Sequence, residues 1–196
     1  MRRINILIIL IAGIAVASPA FAGDMPVADI DMVRAILLQP DFDYTIFDGE
    51  ALCTSLIYLI ENDDTDIRDK VVRRALCALP ETGDERAVEY LIEYIDEYSL
   101  DCLYGFGDFS TPESCNALMG HIEDEDEFNR RYAAQSLGKL DYTVSDEMWE
   151  LRDDALDRLA GRFEAETEEW IIPILEVVYG NIANQVRDED NQTVVG

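Results

Sequence analysis

The spacing of apolar residues along the chain is that of amphipathic helices. From residue 28 onward apolar side chains recur at intervals of three and four, as in the stripe Val88, Leu91, Ile92 and Ile95, which is the period of a helix with one buried face. No segment shows the strict alternation of a half-buried strand. The pattern predicts an all-α protein of about seven or eight helices, over residues 28–39, 48–62, 66–79, 85–98, 111–122, 125–139, 145–163 and 167–186.

Residues that start or stop helices lie at the ends of these segments. Pro40 follows the first segment, and Asp48 precedes the second as a candidate cap. Gly83 and Asp84 together form a turn and a cap before the fourth segment. Pro112, after Ser110 and Thr111, suits the first turn of the fifth segment. These positions support the predicted division into helices.

The segment from Ser99 to Phe109 interrupts the helical pattern. It is rich in glycine and aromatic residues, and we expect it to be irregular and to replace most of one helix. Rigid aromatic side chains near a charged rim are the usual anchors of protein interfaces, so its aromatics are the candidate partner-binding residues. The alternative is that they fold under the segment and close the core. These candidates are Tyr98, Tyr104, Phe106 and Phe109.

Similar segments recur along the chain and indicate an internal repeat. Arginine, alanine and leucine fall at corresponding positions in residues 71–79 and 129–137, and the pattern returns in 151–159. After the first copy, a Gly-Asp turn leads into a second helical segment at residues 85–92. In these residues the chain resembles the HEAT-like (armadillo-type) helical repeat family. The run from Trp170 to Leu175 also looks like the second helix of such a repeat.

The resemblance implies an α-α superhelix of HEAT-like helical hairpins, irregular in the middle, that binds another protein and is not an enzyme. Such a fold has a physical basis, because one hairpin cannot bury its apolar faces without a stacked neighbour. The chain departs from the family pattern at Pro80 and Thr82 in the turn. The copy at 151–159 follows the previous one so closely that it fits the second helix of a repeat. Arg73 and Arg131 are expected to pair with acidic turn residues of adjacent layers, such as Asp84 and Asp141. The alternative is that they are surface arginines without a fixed partner.

The first residues have the three parts of an export signal. Arg2 and Arg3 are basic, the run from Ile4 to Ala17 is apolar, and Ala20-Phe21-Ala22 fits the small-x-small cleavage pattern. Cleavage would release the chain into a periplasm or to the outside of the cell. The alternative is an uncleaved N-terminal anchor. We predict a signal peptide over residues 1–22, a single HEAT-like repeat domain over 23–187 and a flexible acidic and polar tail over 188–196.

The charge of the chain restricts its partners. With 42 acidic and 15 basic residues, the formal net charge is −27 at pH 7. A field of this sign repels nucleic acids and anionic lipid headgroups, so we expect no nucleic-acid partner and, after signal cleavage, no membrane partner. It favours a protein partner, of basic character if the acidic surface makes the contact. The alternative is that the acidity serves solubility in salty surroundings.

The cysteines predict disulfides if the chain is exported. Cys53, Cys77, Cys102 and Cys115 form an even set, and such sets are usually paired in oxidising compartments. Three pairings are possible. We favour Cys53–Cys77, on helices expected to pack side by side, and Cys102–Cys115, which would link the aromatic segment to the next helix. The alternative is buried free thiols.

No set of residues indicates catalysis or a bound cofactor. His121 is the only histidine and lies six residues from Cys115, a spacing that does not place two side chains on the same helix face. Residues 62–66 resemble the start of a calcium loop, but Ile67 and Arg73 replace its required glycine and glutamate. We therefore expect no catalytic residue, cofactor or metal site. The first alternative to a protein-interaction module is an immunity or inhibitor protein that occludes a basic toxin or enzyme, and the second is a low-affinity cation-binding protein.

Overall fold

The computed structural model describes residues 29–39 and 47–187, and the segments given to the signal peptide and the C-terminal tail lie outside them. The described part consists of α-helices, turns and one 3₁₀ turn, without a strand. The nine helices in it are α1 (Ile30–Leu37), α2 (Gly49–Asn62), α3 (Arg68–Ala78), α4 (Arg86–Tyr94), α5 (Ser99–Phe106), α6 (Pro112–His121), α7 (Glu127–Leu137), α8 (Asp146–Ala165) and α9 (Ile172–Ala183).

The helices stack in two layers. Helices α1, α3, α5, α7 and α9 pack against one another in order and form the first layer, and α2, α4, α6 and α8 form the second. Successive helices cross from one layer to the other, so each hairpin contributes one helix to each layer. This arrangement confirms the predicted all-α superhelix of stacked hairpins.

The apolar stripes of the two layers meet in one continuous core. The buried cluster extends from Val33 in α1 to Ile182 in α9, and Phe106 and Tyr142 are its largest fully buried side chains. Several predicted caps hold the helices at the intended ends. Asp48 accepts a hydrogen bond from the backbone N–H of Ala51 at 3.2 Å, and the hydroxyl of Thr111 accepts one from Ser114 in α6. These caps satisfy backbone donors that have no partner inside the helix.

Helix α5 corrects the prediction of an irregular segment between Ser99 and Phe109. Residues Ser99–Phe106 are helical, and Cys102, Leu103 and Phe106 are fully buried. Gly105 allows α5 to pack closely, because a Cβ atom there would lie 2.9 Å from Cγ of Pro80. Glycine has low helix propensity, but the burial of apolar side chains outweighs this cost.

The repeated segments lie in the expected layers except for the run from Trp170 to Leu175. Residues 71–79 and 129–137 lie mainly in α3 and α7 of the first layer, and 151–159 lies in α8 of the second. The run from Trp170 to Leu175 leads into α9 of the first layer, although it resembles a second helix. The reason is topological: α8 already fills the second layer, so the next helix must return to the first.

The predicted ion pairs between layers are wrong. Arg73 pairs with Asp69 and Asp101, while Asp84 is taken by Arg86 next to the turn. Arg131 packs on aromatic rings. The sequence predicted ion pairs between these arginines and carboxylates in turns, but in the fold other side chains lie nearer to them.

A buried carboxylate joins α7 to the connection between α8 and α9. The side chain of Glu166 is fully buried and accepts two 3.0 Å hydrogen bonds from Arg130 and a 3.1 Å hydrogen bond from Arg162. The backbone N–H groups of Thr167 and Glu168 donate to the same carboxylate. Burial alone would raise the pKa of Glu166, but the hydrogen bonds from both arginines and the backbone outweigh it and lower the pKa to about 2. This network sets the position of α7 relative to α9.

We predict that Gly105→Ala destabilises the fold, because the added methyl group overlaps the Pro80 ring. Overpacking of this kind costs about 1–3 kcal/mol, measured as the free energy of unfolding in urea. Gly161→Ala in α8 is the matched control, since nothing lies within 4 Å of its added Cβ. It should stabilise the protein by about 0.5–1 kcal/mol. Equal stability of the two variants would contradict the close approach of α5.

We predict that Glu166→Gln lowers the free energy of unfolding by about 3 kcal/mol at pH 7, because it leaves Arg130 buried without its anion. The exposed Glu169 offers the control Glu169→Gln, which should change little. Since the pKa of Glu166 is depressed on folding, its contribution is complete above about pH 4.5 and is lost as the pH falls towards about 2. The difference between wild type and Glu166→Gln should therefore shrink across this range, and a difference independent of pH would contradict the assignment.

Candidate protein-binding groove

An open groove runs along the first layer between α5, α7 and α9. Its volume is about 500 Å³, within the usual range for sites that enclose a small ligand or a short segment of a partner. We call it the α5–α7–α9 groove. Side chains from all three helices, and from the turn after α7, line it, among them Tyr104, Tyr132, Gln135, Lys139, Ile174 and Val177.

Large apolar and aromatic side chains are exposed in and beside the groove. Val177 is 62% exposed and Tyr104 is 51% exposed. Phe128 and Trp170 are also exposed on α7 and just before α9, with ring centroids 5.8 Å apart. Exposed apolar residues are ordinary when scattered, but a group of them around a concave surface marks an interaction site.

The charge inside the groove differs from that of the chain as a whole. Its lining contains no aspartate or glutamate, and Lys139 is the charged residue in it. The ammonium group of Lys139 lies 4.3 Å from the centroid of the Tyr104 ring and 3.9 Å from an Asp108 oxygen. Both partners are largely exposed, so the ion pair with Asp108 is weak.

Arg131 lies beside the groove and is held by aromatic rings. Its guanidinium carbon is 5.3 Å from the centroid of Tyr132, which lines the groove, and 5.5 Å from that of Trp170. Within the described part of the chain it has no carboxylate within salt-bridge distance, and its buried Nε atom has no hydrogen-bond partner. The aromatic rings attract the guanidinium through their quadrupole without neutralising its charge.

The structure brings one of the four predicted aromatic anchors to the groove. Tyr104 is exposed there, whereas Tyr98, Phe106 and Phe109 are buried in the core. Because Ser99–Phe106 forms a helix, it turns Phe106 inward and Tyr104 outward. The alternative considered for these residues, closure of the core, therefore describes the other three. The groove residues of α7 and α9 were not predicted from the sequence, because their apolar side chains resemble ordinary core positions.

The four cysteines are free thiols in the structure, and neither favoured pair is formed. Cys53 lies near Thr82, Asp84 and Arg86, and the Cys115 sulfur is 3.9 Å from the Tyr142 hydroxyl. Cys77 instead faces α5, where its sulfur lies 3.4 Å from an Asp101 oxygen. The favoured pairs assumed that α2 presents Cys53 to α3 and that residues 99–109 are irregular, and the observed helices orient these thiols differently.

The thiols are poorly suited to nucleophilic catalysis. Burial raises the pKa of Cys53 and Cys115 to about 11 and that of Cys102 to about 12. Cys77 is an exposed residue, but its sulfur packs against α5, and desolvation there together with the Asp101 carboxylate raises its pKa to about 12. The thiolate is the reactive form, so little of it is present at neutral pH.

The imidazole of His121 pairs locally, with Nδ1 3.1 Å from an Asp124 oxygen, and Asn129 donates to the same carboxylate. Asp124 and Asp126 also accept backbone hydrogen bonds around the start of α7. Among the described residues, no three metal-binding side chains form a cluster. Within the acidic segment 123–127, the Asp124 and Asp126 side chains are thus used for local structure.

We predict that Cys77 is the first cysteine alkylated in the native protein, because Cys53, Cys102 and Cys115 are fully buried and Cys77 is exposed. Labelling with iodoacetamide followed by peptide mass mapping measures the order. Rapid native labelling of Cys53 would contradict the packing of α2. Labelling in denaturant without reductant counts the free thiols and so tests whether disulfides form at all.

Comparisons with known proteins agree with the fold. The family model for the PBS lyase HEAT-like repeat matches residues 71–97, which comprise most of α3, the 3₁₀ turn and α4. Comparison with curated proteins gives no match. Within the described ranges, none of the helices combines the length and the apolar character needed to cross a membrane. Residues 71–97 are therefore similar to a HEAT-like repeat unit, and the neighbouring helices stack on this hairpin in two layers.

Proposed function

We propose that this chain is an exported, non-catalytic protein-interaction module that binds its partner through the α5–α7–α9 groove. HEAT-like repeats generally mediate protein–protein interaction, and a helical fold of this kind is typically a scaffold. The observation that carries the proposal is the group of exposed aromatic and aliphatic side chains around an open groove of about 500 Å³.

The groove has the features of an interface core. Aromatic and aliphatic anchors in a concave surface account for most of the binding energy in protein complexes, and a polar rim excludes water around them. Here Tyr104, Tyr132 and Val177 supply the anchors, while Gln135 and Asn181 supply hydrogen-bonding groups within the same lining. Three helices of a single layer hold these side chains, so binding would need little rearrangement.

Export follows from the N-terminal segment. A basic start, an apolar run and an Ala-Phe-Ala site direct a chain out of the cytoplasm, and we propose a periplasmic location, with full secretion as the variant. Purification from the periplasmic fraction and intact mass measurement test this proposal. A chain beginning at Gly23 supports it, whereas a full-length chain in the cytoplasm contradicts it.

We predict that Val177→Asp abolishes partner binding without unfolding the protein. Val177 is 62% exposed at the groove, so the substitution places a charge on the apolar surface that a partner would cover. Val144→Asp is the matched control, because Val144 is 56% exposed in the turn before α8 and does not line the groove. The measurement is affinity capture from the periplasmic fraction with wild type and both variants, compared by quantitative mass spectrometry.

The two variants also separate this proposal from the inhibitor hypothesis. A partner retained by wild type and Val144→Asp but lost by Val177→Asp supports binding through the groove. A partner that both variants retain, and that high salt releases, would instead indicate binding of a basic protein through the acidic surface. The proposed groove function would then be wrong.

A further inference from the structure

We infer that the α5–α7–α9 groove takes an extended segment of its partner in which an apolar side chain is flanked by carboxylates. This inference rests on the proposed function and specifies the partner's chemistry. Net charge alone would favour a basic partner, whereas the groove favours an acidic segment.

The charged residues around the groove differ in sign from those of the chain as a whole. The chain has 42 acidic residues, and the three helices that form the groove carry Asp101, Glu127 and Glu176 among them, yet none of these three lines it. Lys139 is in the lining, and Arg131 stacks on the Tyr132 ring that forms part of it. The charged residue in the lining is therefore a cation with Asp108 3.9 Å away, and a second cation lies against one of the lining aromatic rings.

Arg131 and Lys139 differ from several other cations of the chain in their carboxylate partners. In this acidic chain Arg34, Arg73, Arg86 and Arg130 are paired with carboxylates. Arg131 has aromatic contacts instead of such a partner within the described ranges, and its Nε is buried without a hydrogen bond. Lys139 has one exposed partner at 3.9 Å. Because this Nε is buried, a ligand carboxylate would pair with the terminal guanidinium nitrogens of Arg131 and with the ammonium of Lys139.

The separation of Arg131 and Lys139 suits an extended segment with two carboxylates. Arg131 precedes the end of α7 at Leu137 by six positions, which is about 9 Å along the helix axis at the rise of 1.5 Å per residue, and Lys139 lies two residues further on in the turn. In an extended segment, residues four apart are about 13 Å from each other and point to the same side. A carboxylate at each end can reach one cation, while the residue between them points into the apolar part of the groove.

The electrostatic field of the net charge does not determine whether an acidic segment binds in the groove. A charge of −27 repels an acidic segment at a distance, but salt at physiological strength screens such repulsion beyond about 8 Å. At contact, the two cations and the aromatic faces are the nearest groups. The field therefore slows the encounter, whereas the groove determines which segment stays bound.

The test compares three peptides with blocked ends, Glu-Ser-Phe-Ser-Glu, Gln-Ser-Phe-Ser-Gln and Lys-Ser-Phe-Ser-Lys. Each is titrated into the purified exported chain, and NMR shifts of groove residues give the dissociation constants. We expect the glutamate peptide to bind about tenfold more tightly than the lysine peptide, with the glutamine peptide between them. Arg131→Met and Lys139→Met should each reduce this preference to about twofold.

Lys70→Met is the matched control, since Lys70 is an exposed cation on α3 outside the groove lining, and it should leave the preference unchanged. Thermal unfolding checks that each variant is folded. Equal binding of the three peptides at the groove would overturn the charge preference and leave the groove function standing. Absence of groove shifts with all three would overturn both.

Discussion

The structure depends on the burial of one apolar stripe per helix between two layers. Each helix is apolar on one side only, so a single hairpin would leave much of its apolar surface in water. Stacking α1, α3, α5, α7 and α9 over α2, α4, α6 and α8 joins the stripes into one core. The same constraint shapes the functional surface, because the first layer must be continuous before three of its helices can border a groove.

Two local features determine the shape of that layer. Gly105 lets α5 approach Pro80, and the result is a helix that turns Tyr104 outward and Phe106 inward. The buried network of Glu166 with Arg130 and Arg162 then fixes the start of α7 against the chain that leads into α9. Both features position helices that form the groove, so the same contacts determine the packing of the core and the shape of the groove.

The charge at the groove differs from the net charge of the chain. The chain has 42 acidic residues, whereas the groove lining has none, and its aromatics are contacted by Lys139 and Arg131. A protein with this arrangement can repel many anionic macromolecules and still hold one short acidic and apolar segment. Specificity would then come from the spacing of two cations and the apolar surface between them.

The helical period, the capping residues and the repeated Arg-Ala-Leu segments were sufficient to predict the fold class and eight of the nine described helices. Helix α5 was missed because Gly105 and Gly107 outweighed the helical spacing of Cys102, Leu103 and Phe106. The cysteine neighbours and arginine pairs could not be predicted, since they depend on helix rotation within each layer, which one sequence does not define. The groove was missed for a related reason: Ile174 and Val177 follow the apolar pattern of core residues, and only packing shows which side faces water.

The most direct test of the account is photo-crosslinking in the living cell. A photoreactive amino acid replaces Val177 in the groove in one strain, and Asp157 on the exposed side of α8 in another. Binding through the α5–α7–α9 groove predicts a discrete crosslinked partner from position 177 and none from position 157. A partner captured only from position 157, or equally from both positions, would contradict binding through the α5–α7–α9 groove.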